Sequence, residues 1–352
     1  LRFANSTGHT LKLVNDMSQT GTSAPVRIAL ISLAHGHGYS YAAAVQAAPN
    51  AELVVIADDD AERGQAAAAR FGVPWEADYR ETVKRDDINA VIICSENARH
   101  KEMTIAAAEA GKHVLCEKPL ATTAEDAQAM IDACARAGVQ LQTAFPVRFH
   151  AAVVAMKQAV ESGQIGQPLA IAARNPGRCP HSWFVDPDLA GGGAVIDHTV
   201  HVVDVLRWMF DTEVTEVYAE IATRMYDIPV DDTGLLMLRL ANGLKVSLDT
   251  SWSRPASWPI WGGVMIEIVG EDAVLSLDAF NDNFQMSRNE GAPYSYVGVE
   301  HSGDPEMVTA FLNAVEHGTD VQVNGTDGLR ALEVALAAYE SAKTGMPVTI
   351  GA

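Results

Sequence analysis

Residues 26–45 read VRIALISLAHGHGYSYAAAV, and this stretch decides the fold class. Residues 26–33 form a short apolar run carrying β-branched side chains, a turn containing Gly36 and Gly38 follows, and residues 39–48 are helical in composition. The same unit then repeats. Residues 53–57 give a strand signal and 60–71 a helix; strands at 90–94, 113–116 and 140–144 alternate with helices at 100–110 and 124–137. Such alternation means parallel strands joined by crossover helices, hence a doubly wound sheet of the Rossmann kind.

After Pro146 the rhythm changes. An amphipathic helix at 151–162 is followed by a Gly- and Pro-rich region and then by strands near 214–223, 233–240, 244–251, 264–269 and 273–278, with Asn242-Gly243 as a hairpin turn. Helices at 306–316 and 326–344 close the chain. The expected fold is therefore α/β plus α+β. A Rossmann domain spans 25–146, and 147–352 is a substrate-binding and oligomerisation domain on a largely antiparallel open sheet, its helix 326–344 packing back towards the first domain. Residues 1–24 are polar and read as a flexible extension, within which Met17 is a candidate start of translation.

Length and charge narrow the function. A chain of 352 residues is too long for one typical core. With 25 Lys and Arg against 45 Asp and Glu, the formal charge is −20, and the average field repels nucleic acid and anionic membrane surfaces. Cys94, Cys116, Cys134 and Cys179 are scattered with no C-x-x-C pair, as in a reduced cytoplasmic protein. No apolar run reaches the length of a membrane span.

The first half has the arrangement that holds a dinucleotide: strand, tight turn, helix, and a carboxylate at the end of the second strand. Asp58 stands where the adenosine ribose is expected, and a carboxylate there repels a 2′-phosphate. The following Asp59, Asp60 and Ala61 supply no compensating arginine, so NAD is expected over NADP. The competing reading of 58–60 is a solvated turn and helix cap. Ser32, Ala34 and His37 occupy the three positions usually held by glycine, with Gly36 between the histidines. His35 and His37 are candidates to donate to the pyrophosphate at the helix N-terminus.

Two further segments carry chemistry. Residues 114–120, VLCEKPL, put Glu117, Lys118 and Pro119 at the C-terminal end of a parallel strand, where such sheets bind ligands. Residues 190–204, AGGGAVIDHTVHVVD, place Asp197 and His201 four apart on one helix face after a glycine loop, with Asp204 one turn on. An alcohol dehydrogenase needs a base for the hydroxyl proton, a role suited to histidine, and a donor for the developing oxyanion, a role suited to Lys118.

With these residues the chain resembles the Gfo/Idh/MocA oxidoreductases, which combine a Rossmann domain, an E-K-P turn and a G-G-G…D-x-x-x-H segment in a second α+β domain; the stretch 325–348 resembles the family's closing helix. The resemblance implies Lys118 as the active-site lysine, Asp197 as the substrate-orienting carboxylate and His201 as the proton acceptor. It also implies a cis peptide before Pro119, a sugar or polyol substrate, and a homodimer or homotetramer formed through the exposed face of the second sheet. Glu117 and Lys118 then also border the cofactor.

Arg178, His181, Trp183 and His198 read as a substrate-recognition set, Trp183 stacking on a sugar face. Thr199 and His198 fit the family pattern less well, and two other functions compete. His181, Asp197, His198 and His201 are candidate ligands of a metal-assisted hydrolase or lyase, although no His-Glu-x-x-His pattern exists and no metal is expected. The other is a non-catalytic, NAD-responsive binding protein, for which the Lys118, Asp197 and His201 trio is not needed.

Overall fold

The computed structural model describes residues 24–351 apart from 259–260, 282, 289–293 and 299–302, with backbone alone at 281, 283–288 and 294–298. The expected extension before Ala24, Met17 included, lies outside the described residues. The first half runs β1 (Val26–Ile31), α1 (His37–Ala47), β2 (Ala51–Ala57), α2 (Ala61–Phe71), β3 (Trp75–Glu76), α3 (Tyr79–Thr82), β4 (Ala90–Ile93), α4 (His100–Glu109), β5 (His113–Glu117), α5 (Ala124–Ala137) and β6 (Leu141–Ala144). Its six strands are parallel, in the order β3-β2-β1-β4-β5-β6. The order reverses between β1 and β4, which opens a crevice at the carboxyl ends of the strands.

Local chemistry sets these elements. All four residues of β4 are buried, as near-continuous apolar strands must be when helices cover both faces of a sheet. Asp60 and Thr123 cap α2 and α5 by accepting backbone N–H bonds, and Gly72 and Gly138 end the same helices in the left-handed region. At two residues, β3 is too short to leave a periodicity in the sequence.

The chain continues as α6 (Ala151–Glu161), β7 (Pro168–Arg174), α7 (Pro187–Ala190), α8 (Ala194–Phe210), β8 (Val214–Ala222), β9 (Thr233–Leu240), β10 (Lys245–Asp249), β11 (Met265–Gly270), β12 (Ala273–Asp278), β13 (Asn283–Arg288), β14 (Tyr294–Gly298), α9 (Asp304–His317), α10 (Gly325–Thr344) and β15 (Val348–Thr349). These strands form a nine-stranded sheet in the order β14-β13-β12-β11-β7-β10-β9-β8-β15. Every pair is antiparallel except β7 with β10. Asn242-Gly243 makes the β9–β10 turn, with Gly243 at φ 90° and the Asn242 side chain accepting from Leu244 N at 3.1 Å. The strand β7, PLAIAAR, is poor in β-formers and falls in the region read as irregular; pairing with β10 and β11 on either side makes it a strand.

Two helices tie the sheets together. Met307, Phe311 and Leu312 of α9 share a core with Ile28, Leu30 and Tyr41, so a helix that follows the second sheet in sequence completes the packing of the first. The closing helix α10 packs on α5 and β6 of the first half and on α8 and β8 of the second. No helix among the described residues is long and apolar enough to cross a membrane. The four cysteines are free thiols, and Cys94, Cys116 and Cys134 are buried.

Candidate active site

A cavity of about 530 Å³ opens where the C-terminal end of β5 meets the start of α8. Lys118, Asp197, His198 and His201 line it, and the Lys118–Pro119 peptide is cis. The ammonium of Lys118 donates to Asp197 Oδ1 at 2.5 Å, and Asp197 Oδ2 accepts from Trp252 Nε1 at 3.1 Å. Burial opposes ionisation of Asp197, yet Lys118 and His198 together hold its carboxyl well below the usual carboxylate range. His201 is pushed well below the ordinary histidine range, first by burial and then by the Lys118 charge. Its Nδ1 is buried with no hydrogen-bond partner among the described residues.

Helix α8 presents two of these groups because its N-terminus is pinned. The Asp231 carboxylate accepts from Gly193 N at 2.9 Å and Val195 N at 2.8 Å, and Tyr339 Oη donates to it at 2.8 Å. A side chain at Gly193 would begin 1.9 Å from the Asp231 carbonyl oxygen, so only glycine permits this approach. Asp204, one turn beyond His201, forms a buried pair with Arg148, and burial raises its carboxyl to about 6.

His198 bridges the Asn175 carbonyl (2.5 Å from Nδ1) and Asp197 Oδ2 (3.1 Å from Nε2), so both ring nitrogens are occupied by the protein. Trp183 is stacked on Phe184 at 3.8 Å and donates to the Ala34 carbonyl at 3.0 Å, which ties it to the turn after β1. His181 is exposed, edge-on to Tyr226, and Arg178 reaches the Ala256 carbonyl. Arg178, His181 and Trp183 are absent from the cavity lining, whose indole belongs to Trp261. The sequence reading missed Asn175, Trp252, Trp261, His150, Phe280 and Asp304. No local motif marks them, because they come from five separate segments.

The cofactor end was read from single positions, and the structure shows what holds each. Ser32 is buried at φ 63°, the left-handed conformation for which glycine is usual there, and its Oγ accepts from Ala34 N at 3.2 Å. At the start of α1, His35 Nδ1 accepts from His37 N at 3.2 Å, and Gly38 N and Tyr39 N donate to the carbonyls of His35 and Gly36, so an anion at this turn competes with the loop's own bonds. The two histidines differ in state. Burial lowers His35 to about 3, so it is neutral; burial also lowers His37, but Glu117 outweighs this and raises it above the ordinary value. Glu117 is fully buried, accepts from Tyr41 Oη at 2.8 Å, and keeps Oε1 unpartnered.

Asp58 requires a correction. Its carboxylate accepts from Leu33 N and Asp60 N and is clasped by Arg63 through Nε at 2.8 Å and Nη2 at 2.7 Å, while Arg99 pairs with Asp59 at 2.8 Å. The expectation that no arginine stands nearby fails because Arg63 lies one helical turn into α2 and Arg99 arrives from the β4–α4 connection. The turn into α1, the carboxylate at the end of β2 and the crevice between β1 and β4 fit a dinucleotide, provided Arg63 yields to the ribose hydroxyls. Among the described residues, the histidine and carboxylate group with ligand atoms all within 4.8 Å is His35, His37 and Glu117. The competing candidate set of His181, Asp197, His198 and His201 is not among the described groups assembled in that way.

Comparison with known proteins follows the same division. Residues 26–145 match the oxidoreductase family with an NAD-binding Rossmann fold, and residues 153–276 match the GFO/IDH/MocA C-terminal domain. A myo-inositol 2-dehydrogenase of Thermotoga maritima is 31% identical over 331 residues, 90% of this chain and 96% of its own. An NADP-dependent D-xylose 1-dehydrogenase of Haloferax volcanii is 31% identical over 320 residues, 87% of this chain and 94% of its own. A levoglucosan dehydrogenase in complex with NADH and levoglucosan superposes with a TM-score of 0.86 at 27% identity, covering 93% of this chain and 100% of that structure.

Proposed function

This chain belongs to the Gfo/Idh/MocA family of oxidoreductases, and from that premise we propose that it oxidises a hydroxyl carbon of a sugar or polyol with NAD in the cavity that Lys118, Asp197 and His201 line. The observation that carries the proposal is their convergence: a lysine ending a strand of the first sheet meets two side chains of α8 from the second half, and packing alone does not require it. NAD, when bound, accepts the hydride from the carbinol carbon. His201, held neutral by burial and lining the cavity, takes the hydroxyl proton. Lys118 donates to the same oxygen as negative charge develops on it, and Asp197 aims the lysine and accepts from a neighbouring hydroxyl. His198 positions Asp197 and does not touch substrate.

His37 and the turn at the start of α1 receive the pyrophosphate, and Asp58 the adenosine ribose. NAD is preferred over NADP, because the Asp58 carboxylate repels a 2′-phosphate and Arg99 is paired with Asp59. The buried free thiols accord with a reducing, cytoplasmic setting. The test is NADH formation from a panel of neutral sugars and inositols, repeated with Lys118→Ala and His201→Ala. Each substitution is expected to cost about 3 kcal/mol or more of transition-state stabilisation with NAD affinity nearly unchanged. Near-normal turnover in both variants would sink the assignment.

A further inference from the structure

The cavity has a second polar end that the proposed chemistry does not use. Asp304, the first residue of α9, lines it on the side of α1, together with His37, His150 and the rings of Trp261 and Phe280. Ser40 of α1 donates to Asp304 Oδ2 at 2.6 Å and so fixes the carboxylate; the other oxygen has no donor among the described residues. Lys118 is the one lysine or arginine among the described residues of the lining, and it is already bound to Asp197. A ligand entering this space therefore meets two carboxylates, aromatic faces and imidazoles, of which His37 is paired with Glu117, and no lysine or arginine left uncommitted.

We propose that Asp304 is the substrate-recognition carboxylate, accepting a hydroxyl remote from the reacting carbon, and that the cavity selects sugars or polyols without an anionic group. This rests on the dehydrogenase reading above and adds to it the class of substrate. A carboxylate or phosphate on the sugar loses its hydration on entry and gains no cation in return, while Asp304 repels it. A neutral polyol loses nothing comparable. Its hydroxyls donate to Asp304 and Asp197, and its C–H face lies against Trp261 and Phe280.

The experiment uses the full chain with NAD and compares neutral sugars with matched uronic acids and sugar phosphates of the same skeleton. The neutral member is expected to exceed each matched anion in kcat/KM by about a hundredfold, the scale of uncompensated like-charge contact. Asp304→Asn, which is isosteric and can still accept from Ser40, should raise KM for the neutral sugar about tenfold with kcat nearly unchanged. It should also narrow the discrimination against anions, and Asp304→Glu should restore that discrimination. Turnover of uronates or phosphates as efficient as that of the neutral sugar, or an Asp304→Asn variant with KM and discrimination unaltered, overturns this inference while leaving the dehydrogenase reading intact. Absence of NADH formation from every sugar, neutral or anionic, overturns both.

Discussion

His201 and Asp58 show how far a single residue can be read. A histidine four positions after an aspartate on a helix suggests a base, but its working range is set by what surrounds it. Burial and the Lys118 charge disfavour the imidazolium, so His201 remains a free base below the ordinary value of 6.5. Activity is present above its folded-state pKa and is lost as pH falls through it. The acid limb of kcat/KM for sugar oxidation is therefore expected below pH 6.5; a limb at or above that value would refute the role. Asp58 is the second case, since its type and position suggested a ribose ligand whereas its bidentate clasp by Arg63 was invisible. Asp58→Ala removes the repulsion of a 2′-phosphate and also frees Arg63 to bind one. Titration of the variant with both nucleotides should show the preference for NAD narrowed by roughly tenfold or more, about the value of one lost charged contact; an unchanged ratio would count against ribose binding at this position.

At the scale of elements, α8 is the part on which the site depends. The glycine run at 191–193 signalled a permissive loop, and the structure assigns the reason: Gly193 passes against the Asp231 backbone, and the Asp231 carboxylate holds two N–H groups of the helix start. Asp231→Ala should destabilise the fold by about 2 kcal/mol, the value of a helix cap and the buried donors it leaves behind. Because Asp197 and His201 ride on this helix, kcat should fall as well. Urea unfolding and steady-state turnover of the variant are the two measurements, and parental values in both would show that the cap is dispensable. The helices α5 and α8 and the strands β9 and β12 were legible because their periodicity extends over several residues. Strand β7 was not, since neighbours rather than its own alanines make it a strand.

For the whole molecule, the outer face of the second sheet bears on assembly. Leu235 is 63% exposed and Met237 51%, while Leu236, Leu238 and Leu240 of the same strand are buried. The homodimer or homotetramer that the family resemblance implies is to be tested at these two exposed apolar side chains. Met237→Glu should shift the protein towards monomer in sedimentation velocity without loss of helical signal, and an unchanged size would place any interface elsewhere. The sequence by itself determined the class of both halves and brought Lys118, Asp197 and His201 forward as candidates, because alternation, glycine loops and helical spacing are local properties written in consecutive residues. Only the tertiary structure decided which aromatic residue lines the cavity, which arginine holds Asp58, that His198 is occupied by Asn175 and Asp197, and that Asp304 comes to face Lys118's cavity from a helix far along the chain. Apart from Arg63 with Asp58, five positions apart, and His198 with its neighbour Asp197, those contacts join residues tens to hundreds of positions apart, and their geometry follows from how the two sheets and α9 pack.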